Sequence, residues 1–408
     1  MLSERSFARS HAIFRAAHDV LPGGVPAGGT PLLSNGKAPL YFERGSGCHI
    51  WDVDGNEYVD YILAYGAVLL GYANPEVDAA ASREVANGML LSMNHPLHGR
   101  FLEAVLRRFP AADMGYFMKT GSEATTAAVR LARRYTGRRK IVRCGFHGWH
   151  DWCFPDDGST PAGIAEQVLP LHDITAHGLE RLLSQNIDQI AAVIVAPEMV
   201  MPLDREAINS LIETAHAHGA LFILDEIKTG FRTLSGSVQT YLNVHPDITT
   251  LSKALGNGWP VSTVIGRKEI MQAGQGIHLS ATYHGDTTGM AAALANLAVL
   301  DRENVASHVW QLGTRLIDGL NVIAKRHRVP ARAYGEPVPS MPFMAFIHAD
   351  QDINNKLIDA FYTRMFQLGV LLHPRHLWYI SFAHTEGDID TTLACADRAM
   401  SETRAAVL

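Results

Sequence analysis

The chain has 408 residues, 47% of them hydrophobic and 19% charged, with a formal net charge of -6. That length can bury a sizeable core when divided into a major and a minor domain, and the mild acidity excludes a disordered chain and a basic nucleic-acid surface, leaving small molecules as the expected partners. Four widely separated cysteines, Cys48, Cys144, Cys153 and Cys395, form no C-x-x-C pair, which speaks against a disulfide framework or a thiolate zinc site and for the cytoplasm.

Met1 to Ala17 mixes charged and apolar residues without a continuous apolar core, so no export signal is read there. His49 to Tyr61 places Asp54-Gly55 between alternating apolar runs and predicts a hairpin. The middle of the chain then alternates short apolar runs with helical patterns, as a layered α/β domain with a parallel sheet does. Expected strands are Gly115 to Lys119, Ile141 to Cys144, Ala191 to Val195, Leu221 to Leu224 and Val261 to Ile265, with helices over Ser122 to Tyr135 and Arg205 to His218. From Gly289 an Ala/Leu-rich helix reaches Asp301. Its weakly polar stretch is too short to span a bilayer. A mixed α/β tail closes with a helix over Asp388 to Leu408. The expected division is 1–65 and 291–408 for the two parts of a small domain and 66–290 for a large one.

Four segments carry chemistry. Among eight lysines, Lys253 stands where an extended, semi-apolar stretch enters the glycine turn Gly256-Asn257-Gly258. Partial desolvation there would lower its amine pKa and favour imine formation; a surface loop lysine is the competing reading. Asp225 ends the apolar run Leu221 to Leu224 at the edge of the sheet where ligands bind, suited to hold a protonated ring nitrogen. A metal-binding acid in the Walker B manner would need a G-x-x-x-x-G-K-[ST] partner, which the chain lacks. Gly121 and Ser122 stand where a strand turns into an alanine-rich helix, a geometry that holds phosphate, although a simple N-cap reads the same way. Phe146-His147-Gly148-Trp149-His150-Asp151 follows the Ile141 strand. Phe146 or His147 is placed to stack on a flat ring, and a metal site at His147, His150 and Asp151 is a faint alternative, so no metal is assigned. Lys119 and Lys228 compete with Lys253 for the reactive role.

Taken in order, T-G-S-E-A at 120–124, F-H-G at 146–148, D-E-I-K-T-G-F-R at 225–232 and S-K-A-L-G-N-G at 252–258 resemble the class III aminotransferases. W-D-V-D-G-N-E-Y-V-D-Y at 51–61 and A-H-T-E-G-D-I-D at 383–390 bring the chain nearest to the glutamate-1-semialdehyde aminomutase-like subgroup. The resemblance implies fold type I: a large, mostly parallel seven-stranded domain, a smaller α+β domain from both chain ends, and a homodimer with shared active sites. It implies pyridoxal 5'-phosphate as cofactor, carried by Lys253 as a Schiff base. Asp225 would pair with the pyridinium, Gly121 and Ser122 would cradle the phosphate, and Ile227 would pack on the ring face opposite Phe146. Thr282 would reach the phosphate of the neighbouring subunit.

The departures from the family bear on substrate. Aminomutases carry an arginine shortly after P-G-G-V, whereas Pro22-Gly23-Gly24-Val25 is followed here by Pro26-Ala27-Gly28-Gly29-Thr30. The family's E-P pair appears as Ala196-Pro197 with Glu198 displaced after it, and Lys228 replaces a commonly uncharged residue. The expected activity is transfer of an amino group between a donor such as glutamate and a small aldehyde or ketone, with a leaning toward an aminosugar-like carbonyl. The alternative is an isomerase, either a 1,2-aminomutase or an epimerase. Arg375 or Arg232 could clamp a donor carboxylate, and Trp149, Lys228 and Trp378 are the remaining candidate substrate contacts.

Overall fold

The computed structural model describes residues 5–26, 40–153 and 158–408. The segment 27–30, on which the missing aminomutase arginine was read, lies outside them. The chain forms two compact units, Pro75–Ala306 and the pair Met1–Asn74 with Ser307–Leu408. These divisions fall later than the expected 65 and 290. The reason is the helix Thr288–Arg302, which packs along Pro75–Ala86 and Pro96–Leu106. Ala80, Leu97 and Ala291 share one buried cluster, and Arg302 pairs with Glu76 at 2.6 Å.

The large unit is an α/β layer built on seven strands in the order Met114–Met118, Ser262–Gly266, Ile248–Leu251, Leu221–Asp225, Ile190–Val195, Lys140–Cys144, Val168–Pro170. All pairings are parallel except the two made by Ser262–Gly266, which is antiparallel to both neighbours. The central strands read as unbroken apolar runs because helices cover both faces of such a sheet. Every residue of Ile190–Val195 and of Leu221–Asp225 is buried. Each fully buried Val, Leu or Ile contributes roughly 1.5–3 kcal/mol relative to exposure.

The helix Gly121–Thr136 starts where Thr120 and Glu123 form a capping box: Glu123 N donates to Thr120 Oγ1 at 3.3 Å and Thr120 N donates to Glu123 Oε2 at 2.8 Å. It stops at Gly137, which takes the left-handed conformation (φ 72°). Its apolar face, including Ala128 and Leu131, joins Ile194, Ile223 and Val264 in the main core. Because the parallel strands run the same way, the segments following them emerge at one edge. Gly121–Ser122, Phe146–Gly148, Ala196–Glu198, Asp225–Lys228 and Ser252–Lys253 are thereby brought together.

The smaller unit holds the expected hairpin, with His49–Asp52 antiparallel to Glu57–Asp60. Phe42–Ser46 flanks it on one side. On the other lies Val370–Leu371, parallel, with Val370 opposite Val59. A second pair, Ala331–Tyr334 with Phe343–Phe346, is antiparallel, and the helices Gln351–Gln367 and Glu386–Val407 pack together. No helix among the described residues is long and apolar enough to cross a membrane.

Candidate active site

Lys253 opens a short 3-10 turn, Lys253–Leu255, directly after the strand Ile248–Leu251 and Ser252. Its φ of 47° is in the left-handed region, where a side chain other than glycine costs roughly 1–2 kcal/mol. Strain of this kind persists only where the surroundings fix the residue. Burial, and secondly the charge of Lys228, push its amine down to about 8, against the opposing pull of Glu198 and Asp225. A substantial neutral fraction at physiological pH makes this amine a nucleophile.

The competing lysines are each paired with a carboxylate. Lys119 donates to the Asp286 carboxylate and, at 3.3 Å, to the Pro260 carbonyl. Lys228 Nζ lies 2.7 Å from Glu198 Oε1.

Asp225 ends its strand at 3% exposure. Its Oδ1 accepts from Thr250 Oγ1 at 2.9 Å and from the Ile227 N-H at 3.2 Å, and its Oδ2 lies 2.7 Å from His147 Nδ1. A carboxylate has about four acceptor positions; three are filled, and the fourth is available to a ring N-H in the cleft that Asp225 lines. The other ring nitrogen of His147 faces the Cys144 carbonyl at 3.1 Å. His147 was expected as a stacking aromatic. With a fully buried side chain, tied to Asp225 and lying parallel to Trp152, it instead buttresses the acid. Of the two aromatic rings that line the cleft, Phe146, 54% exposed, is then the one placed to stack.

Gly121 and Ser122 line the same cleft at the positive end of the 16-residue helix. Ser122 Oγ accepts from the Trp149 N-H at 3.3 Å. Two glycines keep this turn open. A Cβ on Gly148 (φ 113°) would stand 2.3 Å from Ser122 Oγ, and one on Gly121 would stand 2.9 Å from Ile227 Cδ1. An anion turn, a nucleophilic amine, a buried acid with one acceptor position left, and the apolar walls Phe146 and Ile227 fit a phosphorylated pyridine aldehyde.

The remaining candidates fall differently. Trp149 is 76% exposed. Thr282 is exposed on the loop before the helix Thr288–Arg302. Arg375 is exposed in the smaller unit. Arg232 is fully buried and is not among the residues lining the cleft, although its charge is felt by Lys253. Trp378 is also a correction. It is fully buried, its Nε1 donates to the His373 carbonyl at 2.8 Å, and it packs against Phe343 and Tyr362, which makes it core and not pocket wall.

Glu226, beside Asp225, is structural as well. It accepts from Val238 N at 2.6 Å and from Gln239 Nε2 at 3.0 Å, and so anchors the start of the helix Val238–Leu242. Sequence reasoning noted Glu198 as a displaced acid but gave it no role; the structure puts it in the cleft against Lys228.

Comparison with known proteins agrees with this geometry. A family model described as aminotransferase class-III matches residues 33–385. The 3-aminobutyryl-CoA aminotransferase of Cloacimonas acidaminovorans is 32% identical, over 99% of each chain. The glutamate-1-semialdehyde 2,1-aminomutase of Chloroflexus aggregans is 34% identical, over 98% of this chain and 99% of that one. Among solved structures, the FumI protein of Sphingopyxis sp. MTA144, in its PLP internal aldimine form, superposes with a TM-score of 0.90 at 28% identity, covering 97% of this chain and 96% of that one. The chain belongs to the class-III aminotransferases, fold type I transaminases that depend on pyridoxal phosphate.

Proposed function

We propose that Lys253 carries the cofactor and that the cleft transfers an amino group between a donor such as glutamate and a small aldehyde or ketone. The observation that carries this reading is the Lys253 amine, pushed down to about 8 in the cleft that also presents Asp225 and the Gly121–Ser122 turn. When bound, the cofactor supplies an electron sink for the carbon that loses its proton. Asp225 keeps the ring nitrogen protonated, and His147 and Thr250 keep Asp225 in place. Ser122 and the helix N-terminus hold the phosphate, and Phe146 and Ile227 fix the plane of the ring. Lys253, in the same cleft, would be the group that takes a proton from the substrate carbon and returns one during transfer.

Arg375, exposed in the smaller unit, is the arginine proposed for a donor carboxylate. The relatives bear on the carbonyl partner without fixing it: one is named for an acyl-CoA amine and another for an amino-acid semialdehyde. The aminosugar-like preference rests on Lys228, on the aminomutase arginine missing after Val25 and on the aromatic candidates for the pocket.

A homodimer with shared active sites is part of the same proposal. Met93, Leu91, Trp149 and Tyr283 leave large apolar side chains 80%, 53%, 76% and 63% exposed on the large unit. A second copy would cover them, and Thr282, next to Tyr283, would reach the partner's phosphate. Four free cysteines are consistent with the cytoplasm.

Loading the protein with cofactor, adding one amine at a time without a carbonyl acceptor, and following absorbance and product tests the reaction. An aminotransferase stops after one turnover in the amino form of the cofactor and releases one equivalent of carbonyl product. An isomerase, the alternative, returns to its starting spectrum with a rearranged amine. Lys253→Ala should bind cofactor without a covalent link and lose turnover, and normal activity in that variant would remove the lysine from its role.

A further inference from the structure

Besides Lys253 and Asp225, the cleft is lined by a second pair of opposite charges, Lys228 and Glu198. Their side chains are only 14% and 9% exposed, with Lys228 Nζ 2.7 Å from Glu198 Oε1. Lys228 Nζ also sits 6.0 Å from the centroid of the Phe146 ring. Neither carboxylate oxygen of Glu198 has a partner of good hydrogen-bond geometry among the described residues. A lysine ammonium carries three N-H donors, so the single contact with Glu198 leaves Lys228 with donors for a ligand.

The chemistry of the cofactor says what those donors face. In pyridoxal phosphate the ring nitrogen and the aldehyde carbon are opposite each other, and the phosphate arm and the ring hydroxyl flank the aldehyde carbon on either side. Asp225 at the nitrogen and Lys253 at the aldehyde carbon fix that axis. Gly121 and Ser122 take the phosphate arm, while Phe146 and Ile227 take the two ring faces. Among the other polar cleft residues, His147 is tied to Asp225 and Ser252 Oγ donates to the Val261 carbonyl at 3.1 Å. Elimination leaves Lys228 as the donor for the hydroxyl.

Resting on the assignment of Lys253 as the cofactor lysine, we propose that Lys228, balanced by Glu198, is a positioning residue that holds the cofactor's ring hydroxyl and tunes the charge on the nitrogen contributed by Lys253. A cation beside the hydroxyl favours its ionised form and disfavours a proton on the adjacent nitrogen; Glu198 offsets most of that field. The same balance already acts on the bare amine, where Lys228 and Arg232 lower its proton affinity and Glu198 and Asp225 raise it. His147, behind Asp225, and the buried thiols of Cys144, which feels the Glu198 carboxylate, and Cys153, which feels Asp225, are further titratable groups on this side.

The two charges therefore predict opposite effects, which a merely structural pair would not produce. The experiment is a spectrophotometric pH titration of the long-wavelength band in the cofactor-loaded wild type, Lys228→Gln, Glu198→Gln and Lys228→Arg. Removing the cation should move the midpoint up, and neutralising the acid should move it down, each by about one pH unit, a tenfold change in proton affinity for charges a few ångström apart in a partly screened cleft. Lys228→Arg should stay with the wild type. Midpoints of both glutamine variants unmoved, or moved in the same direction, overturn the proposal. Absence of the band from the wild type would instead sink the Lys253 assignment beneath it.

Discussion

The amine of Lys253 should react with a phosphorylated aldehyde at a pH where ordinary lysines scarcely do. Burial disfavours its charged form, so the folded-state value drops from an ordinary 10.5 to about 8, and the neutral form accumulates as pH rises through 8. At pH 7 about one Lys253 in ten is neutral, against about one in three thousand for an unperturbed lysine, a ratio of about 300. The perturbation is pH itself, stepped from 6 to 10 on cofactor-free protein. A brief pulse of pyridoxal phosphate, borohydride trapping and peptide mass spectrometry would give a labelling rate for each lysine. The Lys253 peptide should gain about tenfold in rate between pH 6 and 7, bend over near pH 8 and then stay level, while exposed lysine peptides go on rising to pH 10. A Lys253 profile that follows the exposed lysines throughout would refute the burial argument.

Asp225→Asn should keep the fold, since Asn can still accept from Thr250. Losing a buried charge partner costs about 3–5 kcal/mol, so single-turnover rates should fall between about a hundredfold and a few thousandfold, and a rate within threefold of wild type would exclude the pyridinium role. Gly148→Ala brings a methyl group 2.3 Å from Ser122 Oγ at a φ of 113°. Cofactor affinity, measured by equilibrium dialysis, should weaken at least about tenfold for the loss of one charge-assisted phosphate contact, and unchanged affinity would remove Ser122 from the phosphate site. Trp378→Ala empties a fully buried site in the smaller unit and should cost about 3–5 kcal/mol, seen as a lowered thermal midpoint. A large change in KM without that destabilisation would return Trp378 to the substrate pocket.

Much of this architecture was legible because two local signals agreed. Runs such as Ile190–Val195 are apolar on both faces, as a strand covered by helices on each side must be, and their observed ends differ from the expected ones by one residue. Ile248–Leu251 was read only as an extended segment. Two of its four residues are threonines, and their polar atoms gave no apolar run, yet both are buried in the sheet. The lysine, the acid and the phosphate turn were readable because each lies at or just past the end of a strand, so chain order alone brings them to one edge.

Side-chain direction was not readable in the same way. Phe146 and His147 are adjacent in sequence and both line the cleft, but Phe146 is exposed whereas His147 is buried and tied to Asp225, which lies 78 positions away in the chain. Arg232 and Trp378 looked like pocket residues by type and proved to be interior by packing. The one available signal for Glu198 was its displacement beside Pro197, and only the meeting with Lys228 gives that displacement a meaning.

The register Val59 to Val370 has a consequence for synthesis. The hairpin near the beginning of the chain emerges early from a ribosome, but its edge strand arrives only after the entire Pro75–Ala306 unit has been made. Until then Glu57–Asp60 presents an open edge, the kind of feature that recruits strangers. The large unit is one uninterrupted stretch of chain and can close as it is translated, whereas the smaller one must wait for both of its halves.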